Sequence, residues 1–235
     1  MRASLTSRPP TPPDAYCLWC GCSLTRESSL ADMFFTTDVL CQRCRQRLAL
    51  RPQRIVRLGF PVTGLYMYQG LARDMVLRLK ERGDEALAPA PLWPLAHRLA
   101  RMYRGWMIVP MPSSRQAEER RGFDPVAELW APVGLPLTPL LIKTDDYVQK
   151  DQPLARRGDI AGHIALAGPL PAIDRPVLLV DDIMTSGATM ARGAALLRDH
   201  APRLAGLAVA YSRLEVPAWW RRAERLFWWG GDDDG

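Results

Sequence analysis

Nothing in this chain approaches the roughly 18 to 20 consecutive apolar residues needed to cross a bilayer, although 48% of its 235 residues are apolar. The opening stretch, MRASLTSRPPTPPDAY, carries Arg2 and Arg8 but no apolar h-region. It therefore does not read as a secretory signal, and the expected compartment is the cytoplasm. Lysine is scarce: of 31 basic residues only Lys80, Lys143 and Lys150 are Lys. In a chain rich in Arg, Ala and Pro, that bias is explained by base composition and does not by itself indicate a nucleic-acid site. The three histidines, His97, His163 and His200, are isolated from one another. No residue stands out as a general base. No G-x4-G-K-[ST] string occurs, which removes the P-loop reading of any acidic strand.

Charge is unevenly distributed. Residues 1–60 hold nine Arg against four acids, and the remainder holds 22 basic and 21 acidic residues, so nearly all of the net +6 is local. The length allows one sizeable core with a small appended module. Residues 1–15 are polar and Pro-rich and read as disordered. Residues 16–60 read as a separate small module, 61–213 as the main domain, and 214–235 as a Trp-rich extension.

The small module is defined by Cys17-x2-Cys20 and Cys41-x2-Cys44, two knuckles 20 residues apart. This spacing suits a structural Zn²⁺ held by four thiolates. A redox or disulfide role is the weaker alternative, because cytosolic disulfides are rare. Cys22 is left over, as a spare ligand or a packed free thiol. Between residues 41 and 57, Arg43, Arg45, Arg47, Arg51, Arg54 and Arg57 occur with no acid among them. Two readings stay open: a DNA or RNA backbone contact, or a solvated face of an Arg-biased chain.

From about residue 64 the pattern alternates between strand and helix. Leu71, Met75 and Leu79 share one face of a predicted helix that stops at Gly83. Leu92, Leu95, Leu99 and Met102 form a second stripe, within a helix from 92 to 104. WMIVPMP (106–112) reads as a buried strand. Asp124-Pro125 reads as an N-cap and first position of a helix reaching Trp130. PVLLV (176–180) is a strand covered on both faces, a helix follows from about Ala188, and AGLAVAYS (205–212) is the next strand. This alternation predicts an α/β domain with a mostly parallel sheet.

The strand at 176–180 runs into Asp181 and Asp182, followed by Thr185-Ser186-Gly187-Ala188-Thr189. Adjacent buried carboxylates cost free energy unless a cation or donor meets them. A Gly/Thr/Ser turn opening a helix offers amides and hydroxyls to a phosphate. The acids beside it suit sugar hydroxyls and a hydrated divalent cation, which together describe a phosphorylated ribose. Helix capping alone accounts for one acid but not for two plus the hydroxyl run.

VLLVDDIMTSGAT resembles the signature with which type I phosphoribosyltransferases bind phosphoribosyl pyrophosphate (PRPP). The wider layout resembles the ComF family, competence-associated proteins that join a four-cysteine zinc module to a phosphoribosyltransferase domain. The resemblance spans roughly residues 16–213. It rests on the knuckles, YQGLARDMVLRLKERGD, IVPMPSSRQAEERRGFD, QKDQPLARRGDIAGH and the acidic turn. It implies a type I phosphoribosyltransferase-like fold with a small N-terminal zinc-binding module, binding of PRPP with Mg²⁺, ribosyl transfer to an undefined acceptor, and a link to DNA uptake or DNA processing through protein partners. It assigns Asp181 and Asp182 to the ribose hydroxyls, and Thr185, Ser186, Gly187, Ala188 and Thr189 to the 5′-phosphate. Lys80, Arg120 and Arg121 go to the pyrophosphate side. The alternative is a non-catalytic module that senses PRPP or a nucleotide while its zinc region holds nucleic acid or a partner. Asp124 and Asp159 stand where the family usually has Asn, and so add carboxylates near a polyanion. Trp219, Trp220, Phe227, Trp228 and Trp229 read either as a membrane-surface or partner-binding helix or as the cover of a core edge.

Overall fold

The computed structural model describes residues 16–24, 38–55, 59–144 and 164–212. The expectations for residues 1–15, Arg57, Lys150, the 149–163 motif with Asp159 and His163, and the aromatic tail lie outside these residues.

A five-stranded sheet organises the fold. Its strands are β1 (Gln53–Ile55), β2 (Val62–Met67), β3 (Met107–Pro110), β6 (Val177–Met184) and β7 (Leu204–Tyr211), in the order β1-β2-β7-β6-β3. β1 runs antiparallel to β2, while every other pairing is parallel. The two remaining strands, β4 (Leu141–Lys143) and β5 (Ile164–Leu166), form a separate antiparallel pair. The central strands are buried on both faces because their sequences are continuous apolar runs: Val177 to Val180 and Met107 to Val109 are all buried.

Helices cover the two faces. On one lie α1 (Gln42–Arg47), α2 (Gly70–Arg82), α3 (Ala96–Met102) and α5 (Pro125–Trp130), whose apolar residues share a core with Leu65, Leu178, Val180 and Leu207. On the other, α6 (Ala188–Leu197) packs Met190, Ala194 and Leu197 against Val109, Leu179 and Ala208. Burying these side chains contributes on the order of 1.5–3 kcal/mol each. α4 (Arg115–Arg121) lies between β3 and α5 in the chain and has no buried residue.

The local signals act as their chemistry dictates. α2 ends at Gly83, in the left-handed conformation at φ 66°. The Asp124 side chain accepts a hydrogen bond from the Val126 amide at 2.9 Å, with Pro125 at the first helical position. At Gly64 the ring of Tyr211 lies where a Cβ would stand, so β2 needs glycine there.

Three expectations shift. The strand predicted at 176–180 continues through both acids to Met184, because β6 and β7 stay paired as far as Met184 and Tyr211. The second helical stripe begins as a 3-10 turn at Trp93–Leu95, and its last member, Met102, is 47% exposed. The boundary at residue 60 runs between two paired strands, and Cys17, Cys41, Cys44, Leu40 and Leu48 share one core with α2 and the sheet.

Candidate functional site: an acidic strand end and a four-cysteine cluster

Asp181 and Asp182 lie in the last half of β6, at the carboxyl end of a parallel sheet, where open α/β sheets place their ligands. Asp182 is 4% exposed and is the one buried charged side chain among the described residues. Its partner comes from 102 positions earlier: Lys80 Nζ lies 2.9 Å from Oδ2 and 3.3 Å from Oδ1 of Asp182. Lys80 reaches it from the last turn of α2, just before the Gly83 stop. The carboxylates also accept backbone donors, Asp181 Oδ1 from the Asp182 amide at 2.8 Å and Asp182 Oδ1 from the Ile183 amide at 2.6 Å.

The electrostatics follow from this crowding. Burial, then the neighbouring Asp182 charge, pushes the Asp181 carboxyl well above its usual range, with Lys80 opposing. Burial works to lower the Lys80 pKa, but the attraction of Asp182 and Asp181 outweighs it and the net shift is upward. Arg121 acts on the same cluster: its charge is felt at Lys80 and at Asp124. Its Nε is buried without a hydrogen-bond partner, an arrangement that costs free energy unless a further acceptor arrives. Asp124 is raised by burial and by Asp182, against the two amides it caps.

The turn after β6 is open. Thr185, Ser186 and Ala188 are exposed, Thr189 is half-buried, and Gly187 takes φ 78° directly before α6. Ser186 Oγ accepts from the Ala188 amide at 3.3 Å. The structure therefore brings Lys80, Arg121, Asp124, Asp181 and Asp182 into one electrostatic cluster beside a helix N-terminus. Arg120 is exposed on α4. The Lys80–Asp182 pair carried no sequence signal, since no local spacing links residues so far apart. Asp124 was visible as an N-cap, but its field at the acids was not.

The second cluster is sulfur. The Sγ atoms of Cys17, Cys20, Cys41 and Cys44 all lie within 4.8 Å of one another, and Cys20 and Cys41 are 3.8 Å apart. A tetrahedral Zn²⁺ with Zn–S of about 2.3 Å requires edges of about 3.8 Å, so the four thiols fit a metal ion such as zinc. All five cysteines are free thiols, so no disulfide competes. The first knuckle turns through Gly21 at φ 70°, with the Cys17 amide donating to the Cys22 carbonyl. The Leu18 amide donates to the Val39 carbonyl and ties it to the second knuckle, which opens α1. Hydrogen bonds from the Cys22 amide and thiol lower Cys20 to about 6. The same thiol contact, then burial, pushes Cys22 up to about 12. On α1, Arg43 and Arg47 are exposed and Arg45 pairs with Asp38.

Residues 120–223 match the family model described as the phosphoribosyl transferase domain. The competence protein ComFC of Bacillus subtilis (strain 168) is 26% identical over 176 residues, covering 74% of this chain and 68% of that protein. Among solved structures, a hypoxanthine phosphoribosyltransferase from Staphylococcus aureus covers 58% of this chain and 70% of its own at 13% identity and TM-score 0.35. A hypoxanthine-guanine phosphoribosyltransferase from Bacillus anthracis str. 'Ames Ancestor' covers 57% and 82% at 15% identity and TM-score 0.35. Over residues 120–223 the chain is thus similar to the phosphoribosyl transferase domain, with a cluster of four cysteines ahead of that stretch, and over 74% of its length it is similar to the competence protein ComFC.

Proposed function

We propose that the chain binds PRPP with Mg²⁺ at the end of β6 and transfers its phosphoribosyl group to an acceptor. The observation that carries this reading is the pair of acids at a parallel strand end, met by Lys80 and followed by an open hydroxyl turn. Asp181 and Asp182 accept hydrogen bonds from the ribose hydroxyls. The amides and hydroxyls from Thr185 to Thr189 receive the 5′-phosphate at the α6 N-terminus. Lys80, Arg120 and Arg121 face the pyrophosphate, and the unpartnered Nε of Arg121 gains an acceptor there.

In the reaction the bond from C1 to the pyrophosphate oxygen breaks as the acceptor's nucleophile bonds to C1. Positive charge builds on the sugar ring while the leaving group takes the electron pair. The cluster helps by neutralising that leaving group and by holding the ring beside two carboxylates. Mg²⁺, when bound with PRPP, spreads the charge of the pyrophosphate oxygens. The raised pKa of Lys80 keeps it cationic throughout the physiological range.

Zn²⁺ on Cys17, Cys20, Cys41 and Cys44 is a structural metal, because four protein thiolates leave no open coordination position. The exposed arginines of the Arg43–Arg57 stretch contact DNA or RNA phosphates, in keeping with the competence protein among the relatives. The workplace of such a protein is the cytoplasm, alongside DNA-uptake or DNA-processing partners.

A second reading is a non-catalytic sensor of PRPP or a nucleotide, and the position of Asp124 favours it. A carboxylate close enough to Asp182 to raise its own pKa adds negative charge where a polyanion would bind. Calorimetric titration with Mg²⁺-PRPP tests the site: Asp181→Asn with Asp182→Asn lowers affinity at least about tenfold, or roughly 1.4 kcal/mol. Unchanged affinity, or no binding by wild type at millimolar PRPP, defeats the site. Pyrophosphate release with a panel of acceptor bases then separates transfer from sensing.

A further inference from the structure

An apolar groove lies on the α3 face of the sheet. Leu50, Pro52, Thr63, Leu65, Leu95, Leu99, Met102, Tyr103 and Leu207 line it, with Arg98 at its edge, around a cavity of about 250 Å³. That is smaller than the roughly 300–1,000 Å³ typical of small-molecule sites, and suits one or two large side chains. Its floor, Leu65, Leu99 and Leu207, is buried, but Leu50 and Met102 at its mouth are 42% and 47% exposed. Met102 is the last member of an apolar helical stripe whose earlier members, Leu92 and Leu99, are fully covered. An apolar stripe left open at its end marks a place where something else packs.

The neighbourhood is basic. Arg98 lines the groove, Arg101 and Arg104 are exposed along α3 and the turn after it, Arg51 is exposed between the lining residues Leu50 and Pro52, and no acid occurs between residues 92 and 110. The chain itself contains the complementary segment. The 23 residues beyond Ser212 include Phe227-Trp228-Trp229, then Gly230-Gly231 and Asp232-Asp233-Asp234. This is an aromatic cluster followed by two glycines and three carboxylates. Reach is ample. The tail leaves from β7, the strand that places Leu207 in the floor, and five strand residues back from Ser212 to Leu207 amount to about 17 Å. The 15 residues from Ser212 to Phe227 cover about 22 Å even if wholly helical, and about 50 Å if extended.

We propose that this groove is the docking site of the chain's own C-terminal tail. Phe227, Trp228 and Trp229 fill the cleft over Met102 and Leu99, and Asp232, Asp233 and Asp234 lie on the neighbouring arginines. The aromatic side chains gain burial that water would deny them, and joining the segment to β7 gives it a high effective concentration at the groove. The groove is lined from β2, β7 and α3, and none of its lining residues belongs to β6, although Leu207 in its floor pairs with Val180 just before Asp181. The tail buttresses the sheet at β2 and β7, and the proposal is tested without any ligand at the acidic strand end.

Photo-cross-linking of the full-length chain tests it, with benzoylphenylalanine in place of the exposed Met102. The expected products are intramolecular, map to residues 226–234 by mass spectrometry, and form in a yield that does not change on tenfold dilution. Trp228→Ala with Trp229→Ala should cut that yield at least fivefold. Asp232→Asn with Asp233→Asn and Asp234→Asn should reduce it by a smaller factor that disappears at high salt. Cross-links to a second copy, to any other part of the chain, or to nothing would overturn the proposal.

Discussion

The sulfur cluster and the acidic strand end solve the same problem in opposite ways. Each gathers groups that are anionic in their working state inside a low-dielectric environment. At the cysteines the chain supplies four like ligands close enough together to hold a metal ion such as zinc, and the balancing charge would come from that ion. At the acids the chain supplies its own cation, Lys80, and keeps a second, Arg121, within reach. A centre of the first kind has one task, to hold the fold. A centre of the second kind, with donors and acceptors unequally matched, can exchange partners with a ligand.

Removing the metal should produce the largest effect. Structural Zn²⁺ in small sites contributes apparent binding free energies of about 10–16 kcal/mol. Cys17, Cys41 and Cys44 share their core with α2, so the damage should reach the main sheet. Cys17→Ser with Cys41→Ser should lose stoichiometric zinc by elemental analysis and lower the melting temperature by more than 10 °C. Zinc retained in the double variant would mean that the two centres are not balanced as described.

Breaking the internal pair comes next. Lys80→Met leaves the Asp182 carboxylate buried without its cation. Buried pairs broken in this way cost about 3–5 kcal/mol. Because Lys80 is 36% exposed, solvent screening brings the expected loss to about 1–3 kcal/mol by urea denaturation. Adding Asp182→Asn should recover at least half of that loss, since the orphaned charge goes with it.

A third effect has the opposite sign. The folded Asp181 carboxyl has a pKa raised above its unfolded value. The native state therefore binds the proton more tightly, and this group's contribution is fully present below about pH 3.8 and lost as pH rises through the raised folded pKa. Asp181→Asn should melt a few degrees higher than wild type at pH 7, and the advantage should shrink as pH falls toward 4 in a melting-temperature series. A gain that does not depend on pH would show that charge at Asp181 is not what the fold opposes.

The smallest effect belongs to the rim of the cysteine region. Arg43→Ala with Arg47→Ala should reduce nucleic-acid affinity only severalfold. It should also lower the slope of log affinity against log salt by up to about 2, measured by fluorescence anisotropy. An unchanged slope would leave these arginines as a solvated face.

How far residues could be read from the sequence depends on how local their partners are. The knuckles, the Gly83 stop, the Asp124-Pro125 helix start and the start of α6 near Ala188 were all legible, because each signal and its physical cause lie within a few residues. The true end of β6 was not, because two acids look like a strand terminus until the partner strand β7 is seen to carry the pairing on to Met184. Nor was the exposure of Met102 legible: helical spacing says which residues share a face, not whether anything lies opposite.

The sequence by itself determined the alternation of buried strands and amphipathic helices, the two metal-spaced cysteine pairs and the acid pair before a hydroxyl turn. These follow from periodicity, ligand spacing and backbone preference, all of which act over short range. Tertiary structure alone decided that four thiols converge to one metal-sized cluster, and that β1 joins the main sheet across the supposed boundary at residue 60. It alone decided that Lys80 answers Asp182. Convergence of that kind depends on how helices pack across a sheet, and the Coulomb energy that rewards it depends on distance in space rather than separation along the chain.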